Sequence, residues 1–304
     1  MADSFYSDLG VNFDEFLDLD RVLEDGRRYW PELVFAEPKG FRPLTLDVHV
    51  PAGEGPFPTV VYIHGGAWRM GHPRITNAPL AKFDIVRTLN EAGYAVARIT
   101  YRLSGEAIFP TQLHDCKAGV RYLRAHAARL GLDSERFASM GESAGGHLAA
   151  FLGVTGSHPE LEGDVGLVGP SSAVQAVVDW YGPTDLLKMD EQRPSEIAMV
   201  HNVPDSPESA LVGGNIQDVP DQTNAASPIS YVHAGCPPFL IQHGAKDRLV
   251  PVGQGRSLAE TLRAAGVIVE FREIDGADHC FWGVAGETIM PEVIEFLDRR
   301  LRAR

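Results

Sequence analysis

The sequence has few of the features that mark secreted, membrane-spanning or disulfide-rich proteins. Its only cysteines are Cys116, Cys236 and Cys280, too few and of the wrong parity for a disulfide framework. No apolar run approaches the roughly 18 residues that span a membrane. The first ten residues, MADSFYSDLG, lack the basic and apolar regions of a secretory signal. We therefore expect a reduced, cytoplasmic protein with no membrane partner.

Basic residues are also scarce, with 27 Lys and Arg against 41 Asp and Glu, for a net charge of −14. Nucleic-acid partners require a basic surface, so we expect none. The first 40 residues carry −6 of this charge together with apolar residues at helical spacing. We interpret residues 1–40 as an acidic helical segment, either part of a cap or a solvated helix packed on the body. Its apolar residues are Phe13, Phe16, Leu17, Leu19, Val22 and Leu23.

Beyond residue 40, apolar strands alternate with amphipathic helices, a pattern typical of a mostly parallel sheet covered by helices on both faces. The apolar runs predict strands at 59–63, 94–101, 137–140, 173–180, 238–242 and 267–274. The apolar spacing predicts helices at 113–130, 144–154, 254–265 and 289–302. Residues 183–230 break this rhythm with six of the chain's 21 prolines. We interpret them as a lid-like insertion within one α/β domain, residues 41–304.

The sharpest local motif is Gly141-Glu142-Ser143-Ala144-Gly145. It lies between a predicted strand and a predicted helix, which is the setting of a nucleophile elbow. A serine on so tight a turn has strained backbone angles, and side chains at the glycine positions would clash with neighbouring elements. Ser143 is therefore the candidate nucleophile.

Two further motifs supply the partners that a nucleophilic serine needs. Asp247 and His279 each follow a predicted strand, so both are expected at the carboxyl edge of the sheet with Ser143. They are candidates for the triad acid and base. Upstream, His64-Gly65-Gly66-Ala67-Trp68 follows a buried strand, and glycines there leave backbone N–H groups free to bind an oxyanion. We expect the N–H groups of Gly65, Gly66 and Ala144 in this role, with Ala67 as the alternative to Gly65.

With these motifs the chain resembles the α/β-hydrolase serine esterases of the hormone-sensitive-lipase-like superfamily. More narrowly it resembles bacterial and fungal feruloyl/acetyl-esterase-like carboxylesterases. The matching stretches span about residues 45 to 300: YIHGGAW, FPTQLHDCKAGVRYLRAHA, GESAGGHLAA, DWYGPTDL, ASPISYV, HGAKDRLVP and GADH. The resemblance implies an α/β-hydrolase fold and hydrolysis of small, short-acyl esters through an acyl-enzyme on Ser143.

Several alternatives and secondary assignments stay open at this point. The HGGAW form also occurs in arylformamidases, so amide or formamide hydrolysis is the first alternative. A non-catalytic receptor of the same fold is a remote one, because such receptors usually lose a triad residue. Trp68 and Trp282 flank the oxyanion loop and the base, and are candidate pocket walls with ordinary packing as the alternative. The chemistry needs no cofactor, no histidine spacing indicates a metal site, and a homodimer is left open.

Overall fold

A computed structural model describes residues 21–40, 42–194 and 198–302. Nine strands form one sheet in the order β1-β2-β3-β5-β4-β6-β7-β8-β9. β5, β4 and β6 to β9 are mutually parallel, while β1, β2 and β3 join the β5 edge in antiparallel pairings. The strands are Arg21–Val22, Arg28–Ala36, Leu44–Val50, Phe57–Ile63, Ala95–Ile99, Leu132–Glu142, Ala176–Trp180, Phe239–Gly244 and Val269–Ile274.

Nine α-helices and several short 3-10 turns connect the described strands. Helices α1 to α9 are Ala78–Ala81, Ile85–Glu91, Thr111–Ala125, Ala127–Leu130, Ala144–Val154, Pro207–Val212, Pro220–Ala225, Gly253–Ala264 and Ile289–Leu297. The 3-10 turns are Pro159–Leu161, Leu186–Lys188, Pro228–Tyr231 and His279–Phe281, and a π-helical turn, Asp298–Arg302, follows α9. None of the helices in the described part of the chain is both long and apolar enough to cross a bilayer.

The core lies on both faces of the sheet because successive strand residues point to opposite sides. Val61 and Ile63 of β4 belong to a cluster that includes residues of α3, α5 and α8. Val60 and Tyr62, the alternating residues, belong to a second cluster with residues of α2 and α9. A parallel strand buried on both faces reads as a continuous apolar run, as β4 does. The predicted α/β-hydrolase architecture is thereby confirmed.

The predicted elements after residue 40 correspond to observed ones, with two notable differences. The helix predicted over 113–130 is two helices, α3 and α4, separated at His126. The helix predicted over 289–302 is α-helical only to Leu297. Gly131 ends α4 with φ 72°, the left-handed conformation that favours glycine at this position.

The helix predicted within residues 1–40 is wrong for its described part. Residues 1–20 lie outside the described residues, but β1 and β2 occupy most of 21–36 and belong to the central sheet. Trp30, Leu33 and Phe35 of β2 are buried in the core. The strand changes register between Trp30 and Leu33, where Glu32 has φ 53°. This irregularity hides the two-residue periodicity by which a strand is recognised.

The 183–230 insertion has no strand in its described residues and consists of turns, α6 and α7. Its 199–206 segment is bound to two loops at the carboxyl edge of the sheet. The Met199 N–H donates to the Arg248 carbonyl at 3.0 Å. At the other end, the Arg69 guanidinium donates to the carbonyls of Asp205 and Ser206 at 2.7 and 2.9 Å. Movement of the insertion as a lid stays a prediction.

Candidate active site

Ser143 lies on the turn between β6 and α5, at the carboxyl edge of the sheet. Its φ is 56° and its ψ is −121°, a conformation that L-residues rarely adopt. The Ser143 N–H donates to the Trp180 carbonyl at 2.8 Å. The Ser143 carbonyl accepts the main-chain N–H of His147 at 3.0 Å. The backbone is therefore bound on both sides of the turn, which holds the hydroxyl away from the strand.

The two glycines of the elbow are required by close backbone approach. A Cβ at Gly141 would lie 2.1 Å from the Gly145 carbonyl oxygen. A Cβ at Gly145 would lie 2.0 Å from the Ile63 carbonyl oxygen on β4. Neither backbone oxygen can move without breaking the sheet or the helix. The steric reason predicted for these glycines is confirmed.

The structure brings Ser143, Asp247 and His279 together in hydrogen-bond geometry. His279 Nε2 lies 3.0 Å from Ser143 Oγ, and His279 Nδ1 lies 2.7 Å from Asp247 Oδ2. An ionised carboxylate can only accept, so Nδ1 carries the proton and Nε2 is left to accept from the serine. The other Asp247 oxygen accepts the N–H groups of Leu249 and Val250 at 2.9 and 2.8 Å. The acid is thus fixed by main chain on one side and faces the base on the other.

The electrostatics of the acid and base follow from their contact. Burial by itself would raise the pKa of Asp247, but the His279 charge and hydrogen bonds hold it well below its ordinary value. Burial would likewise lower the pKa of His279, yet the Asp247 charge raises it above the ordinary 6.5. The pair therefore favours an ionised carboxylate beside a histidine of increased basicity, as a general base beside a serine requires.

Gly65 does not offer the free N–H expected of it. Its N–H donates to Glu142 Oε1 at 2.7 Å, so this oxyanion assignment is wrong for the arrangement observed. The N–H groups of Gly66, Ala67 and Ala144 donate to no group within the described part of the protein. Gly66 and Ala67 both have positive φ, 108° and 56°. Ala67, the alternative to Gly65, is thus the better candidate donor beside Gly66.

Glu142 is a buried carboxyl behind the oxyanion loop. It is 5% exposed, and Oε2 has no hydrogen-bond partner among the described residues. Burial raises its pKa to about 7, despite the opposing Gly65 hydrogen bond. A Cβ on Gly65 would lie 2.3 Å from Oε2, which explains why the loop has glycine there. Glu142 therefore determines the course of the loop.

The two tryptophans differ in their surroundings. Trp68 is 2% exposed, and its indole N–H donates to His147 Nδ1 at 3.2 Å. His147 Nε2 in turn lies 2.8 Å from the Ala226 carbonyl oxygen of the insertion. Trp68 therefore packs the oxyanion loop against α5, as the packing alternative expects, and its role as a pocket wall stays a prediction. Trp282 is 63% exposed three residues beyond His279, and its role as a pocket wall stays a prediction.

Sequence reasoning did not find two residues that organise the site. His147 connects the oxyanion loop, α5 and the insertion, but no local pattern distinguishes it from other helix residues. Asp278 accepts hydrogen bonds from the loops of both the acid and the base. The sequence shows that Asp278 is next to His279, but it does not show that Asp278 accepts a hydrogen bond from Arg248.

Comparison with known proteins shows that this chain is similar to esterases. A model of the BD-FAE family matches residues 46–262. Esterase LipQ of Mycobacterium tuberculosis is 32% identical over 225 residues, covering 74% of this chain and 50% of LipQ. The chain thus spans about half the length of this curated relative.

Solved structures agree over most of the chain. A truncated carbohydrate esterase from gut microbiota superposes with a TM-score of 0.80 and 29% identity, covering 92% of this chain and 99% of that one. The esterase Est2 of Thermogutta terrifontis, with propionate bound, has a TM-score of 0.68 and 27% identity. That match covers 88% of this chain and 92% of Est2.

Proposed function

Because this chain belongs to the BD-FAE family, we propose that it is a serine carboxylesterase that hydrolyses small, short-acyl esters. The observation that carries the proposal is the hydrogen-bonded series from Ser143 through His279 to Asp247. It provides a nucleophile, a base and an orienting acid in contact, on a backbone turn that presents the hydroxyl. The esterases among its relatives support the same reaction type.

Acylation begins when Ser143 Oγ attacks the ester carbonyl carbon. His279 Nε2 takes the serine proton as the new C–O bond forms, and the carbonyl electron pair moves onto the oxygen. The N–H groups of Gly66, Ala67 and Ala144 are the candidate donors to that oxyanion. Loss of one such donor typically costs about 10²–10³-fold in kcat. The intermediate then expels the alcohol, which takes its proton from His279, and the acyl-enzyme remains.

Deacylation repeats these steps with water as the nucleophile. His279 Nε2 accepts a proton from water as its oxygen attacks the acyl carbon, and the second intermediate collapses to release the carboxylic acid. Ser143 Oγ recovers its proton from His279. Asp247 stays ionised throughout and stabilises the imidazolium that forms twice in each cycle.

The preference for short acyl groups rests on two observations. The Est2 structure that this chain resembles has propionate, a short carboxylate, bound. Trp68, the aromatic residue closest in sequence to the candidate oxyanion donors, is a bulky side chain held in place by its hydrogen bond to His147. Both favour a compact acyl site.

Active-site labelling tests the nucleophile. A fluorophosphonate should modify Ser143 in the folded protein, as mass spectrometry of the labelled peptide would record. Ser157 is a matched internal control, because its Oγ also lies beside a histidine, 3.3 Å from His233 Nε2. His233 Nδ1 accepts the Gly235 N–H, so Nε2 carries the proton and cannot act as a base. Label on Ser157, or an unlabelled Ser143, would contradict the proposal.

A substrate panel tests the reaction. We expect p-nitrophenyl acetate and butyrate to be hydrolysed with kcat/KM at least tenfold above p-nitrophenyl decanoate. Ser143→Ala should abolish turnover, while Ser157→Ala should retain it. N-formylkynurenine belongs in the panel because of the HGGAW motif. A higher kcat/KM on this formamide than on any ester would make the protein a formamidase and overturn the ester assignment.

A further inference from the structure

Asp278 lies in the loop that carries the base and contacts the loop that carries the acid. Asp247 is in the loop after β8, and His279 is in the loop after the neighbouring strand β9. Both side chains project beyond the hydrogen-bonded part of the sheet. The ladder between β8 and β9 therefore does not by itself determine the separation of the two side chains.

One oxygen of Asp278 binds the main chain of both loops. Oδ1 accepts the N–H of Arg248, the residue after Asp247, at 3.0 Å. The same Oδ1 accepts the N–H of His279 at 2.8 Å. The second oxygen, Oδ2, accepts from the Arg248 side chain through Nε at 2.7 Å. A single carboxylate thus links the acid and the base through the backbone of each loop.

The turn that carries the base needs such support. Asp278 is the N-cap of the 3-10 turn His279–Phe281, in which Cys280 and Phe281 have φ of 58° and 53°. Residues other than glycine persist in this region only where surrounding contacts hold them. The far end of the turn is held by a second hydrogen bond, in which the Asp278 N–H donates to the Trp282 carbonyl at 2.8 Å.

We propose that Asp278 is a positioning residue for the esterase reaction, whose Oδ1 holds the acid and base loops at the separation that the His279–Asp247 hydrogen bond requires. This inference rests on the proposed function. The carboxylate acts through the two backbone N–H groups whose hydrogen bonds it accepts. The ion pair with the Arg248 side chain is secondary, since that side chain is 57% exposed to water.

Three variants separate the backbone role from the charge. In Asp278→Ala both N–H groups lose their acceptor, and we expect kcat to fall on the order of 10²-fold with KM within about twofold. Asp278→Asn keeps Oδ1 and should recover kcat to within about fivefold of wild type. Arg248→Ala keeps its main-chain N–H and should lower kcat by no more than about threefold. Asp275→Ala, an exposed aspartate in the same loop, is the matched control.

Three results would contradict the positioning role of Asp278. An unchanged kcat in Asp278→Ala, or a loss in Asp278→Asn as large as in Asp278→Ala, would overturn the positioning role. A loss in Arg248→Ala equal to that in Asp278→Ala would assign the effect to the ion pair instead. Should Asp278→Ala not fold, Asp278→Ser replaces it. Its shorter hydroxyl can still cap His279 but not reach Arg248, so full activity in that variant would also refute the proposal.

Fluorophosphonate labelling distinguishes this inference from the proposed function. The labelling rate reports base activation of Ser143 whatever the natural substrate is, and it should fall in Asp278→Ala and recover in Asp278→Asn. Equal rates in wild type and Asp278→Ala would overturn the positioning role alone. A wild-type protein that labels at Ser143 but hydrolyses no ester would overturn the proposed function alone.

Discussion

Replacing Glu142 by glutamine should change the free energy of unfolding in a pH-dependent way. The difference between the variant and wild type should shift in favour of the variant as the pH rises. Glutamine has nearly the same shape and keeps an oxygen that can accept the Gly65 N–H. It removes the ionisation of a buried carboxyl whose Oε2 has no hydrogen-bond partner among the described residues. Ionising such a group in the folded protein is costly because the single Gly65 N–H replaces only part of the lost water.

The size of the effect follows from the two pKa values. Burial raises the pKa of Glu142 to about 7 in the folded protein, against an ordinary value of 4.5. Below pH 4.5 both states hold the proton and there is no penalty. As the pH rises from 4.5 to 7 the unfolded chain ionises first, so the folded state loses relative stability. At about 1.36 kcal/mol for each unit, the penalty is roughly 3 kcal/mol at pH 8 and under about 1 kcal/mol at pH 5.

The assay is urea unfolding of wild type and Glu142→Gln at pH 5 and pH 8. Any cost of the substitution that does not depend on pH is the same at both and cancels in the comparison. The stability difference should therefore move in favour of glutamine by about 2.5 kcal/mol between pH 5 and pH 8. Ser139→Ala, a neutral buried site on the same strand, should show no such change.

A stability difference that is the same at both pH values would refute the reasoning. It would mean that Glu142 binds its proton equally in the folded and unfolded states, so its burial carries no ionisation penalty. A change in the opposite direction would mean that the folded protein favours the carboxylate, with the Gly65 hydrogen bond outweighing desolvation.

Three further predictions concern the reaction. Asp247→Asn removes the anion that orients His279, so kcat should fall about 10⁴-fold in steady-state kinetics, and a loss below tenfold would contradict the triad. The Asp247 charge raises the pKa of His279 above 6.5, and the protonated ring cannot accept the serine proton. A pH–rate profile of kcat/KM should therefore lose activity as pH falls through a value above 6.5, and a flat profile would exclude His279 as the base. Gly65→Ala places a Cβ 2.3 Å from Glu142 Oε2 and should displace the oxyanion loop, lowering kcat at least about tenfold; wild-type kcat would show that the loop tolerates the contact.

Much of the site is predictable from the sequence because its motifs are local. The glycines around Ser143 have a steric reason that follows from the turn itself, and the structure confirms it at Gly141 and Gly145. Asp247 and His279 could be located because each follows an apolar run. The carboxyl ends of parallel strands meet at one edge, so residues after different strands are expected together.

The N-terminal strands were not predictable in the same way. β2 is interrupted by a change of register at Glu32, and the apolar residues before it recur at helical spacing. A local pattern cannot show that β3 lies alongside and takes up the backbone hydrogen bonds of β2. The pairing of two strands is a property of the assembled sheet.

The sequence by itself determined the α/β class, the alternation of strands and helices beyond residue 59, and the choice of Ser143, Asp247 and His279 as candidate site residues. Only the tertiary structure decided which backbone donors remain free beside them. Gly65 loses its N–H to Glu142, 77 residues away, and Asp278 accepts from Arg248, 30 residues away. A hydrogen bond exists only where packing brings donor and acceptor within about 3 Å, and residue spacing along the chain contains no measure of that distance.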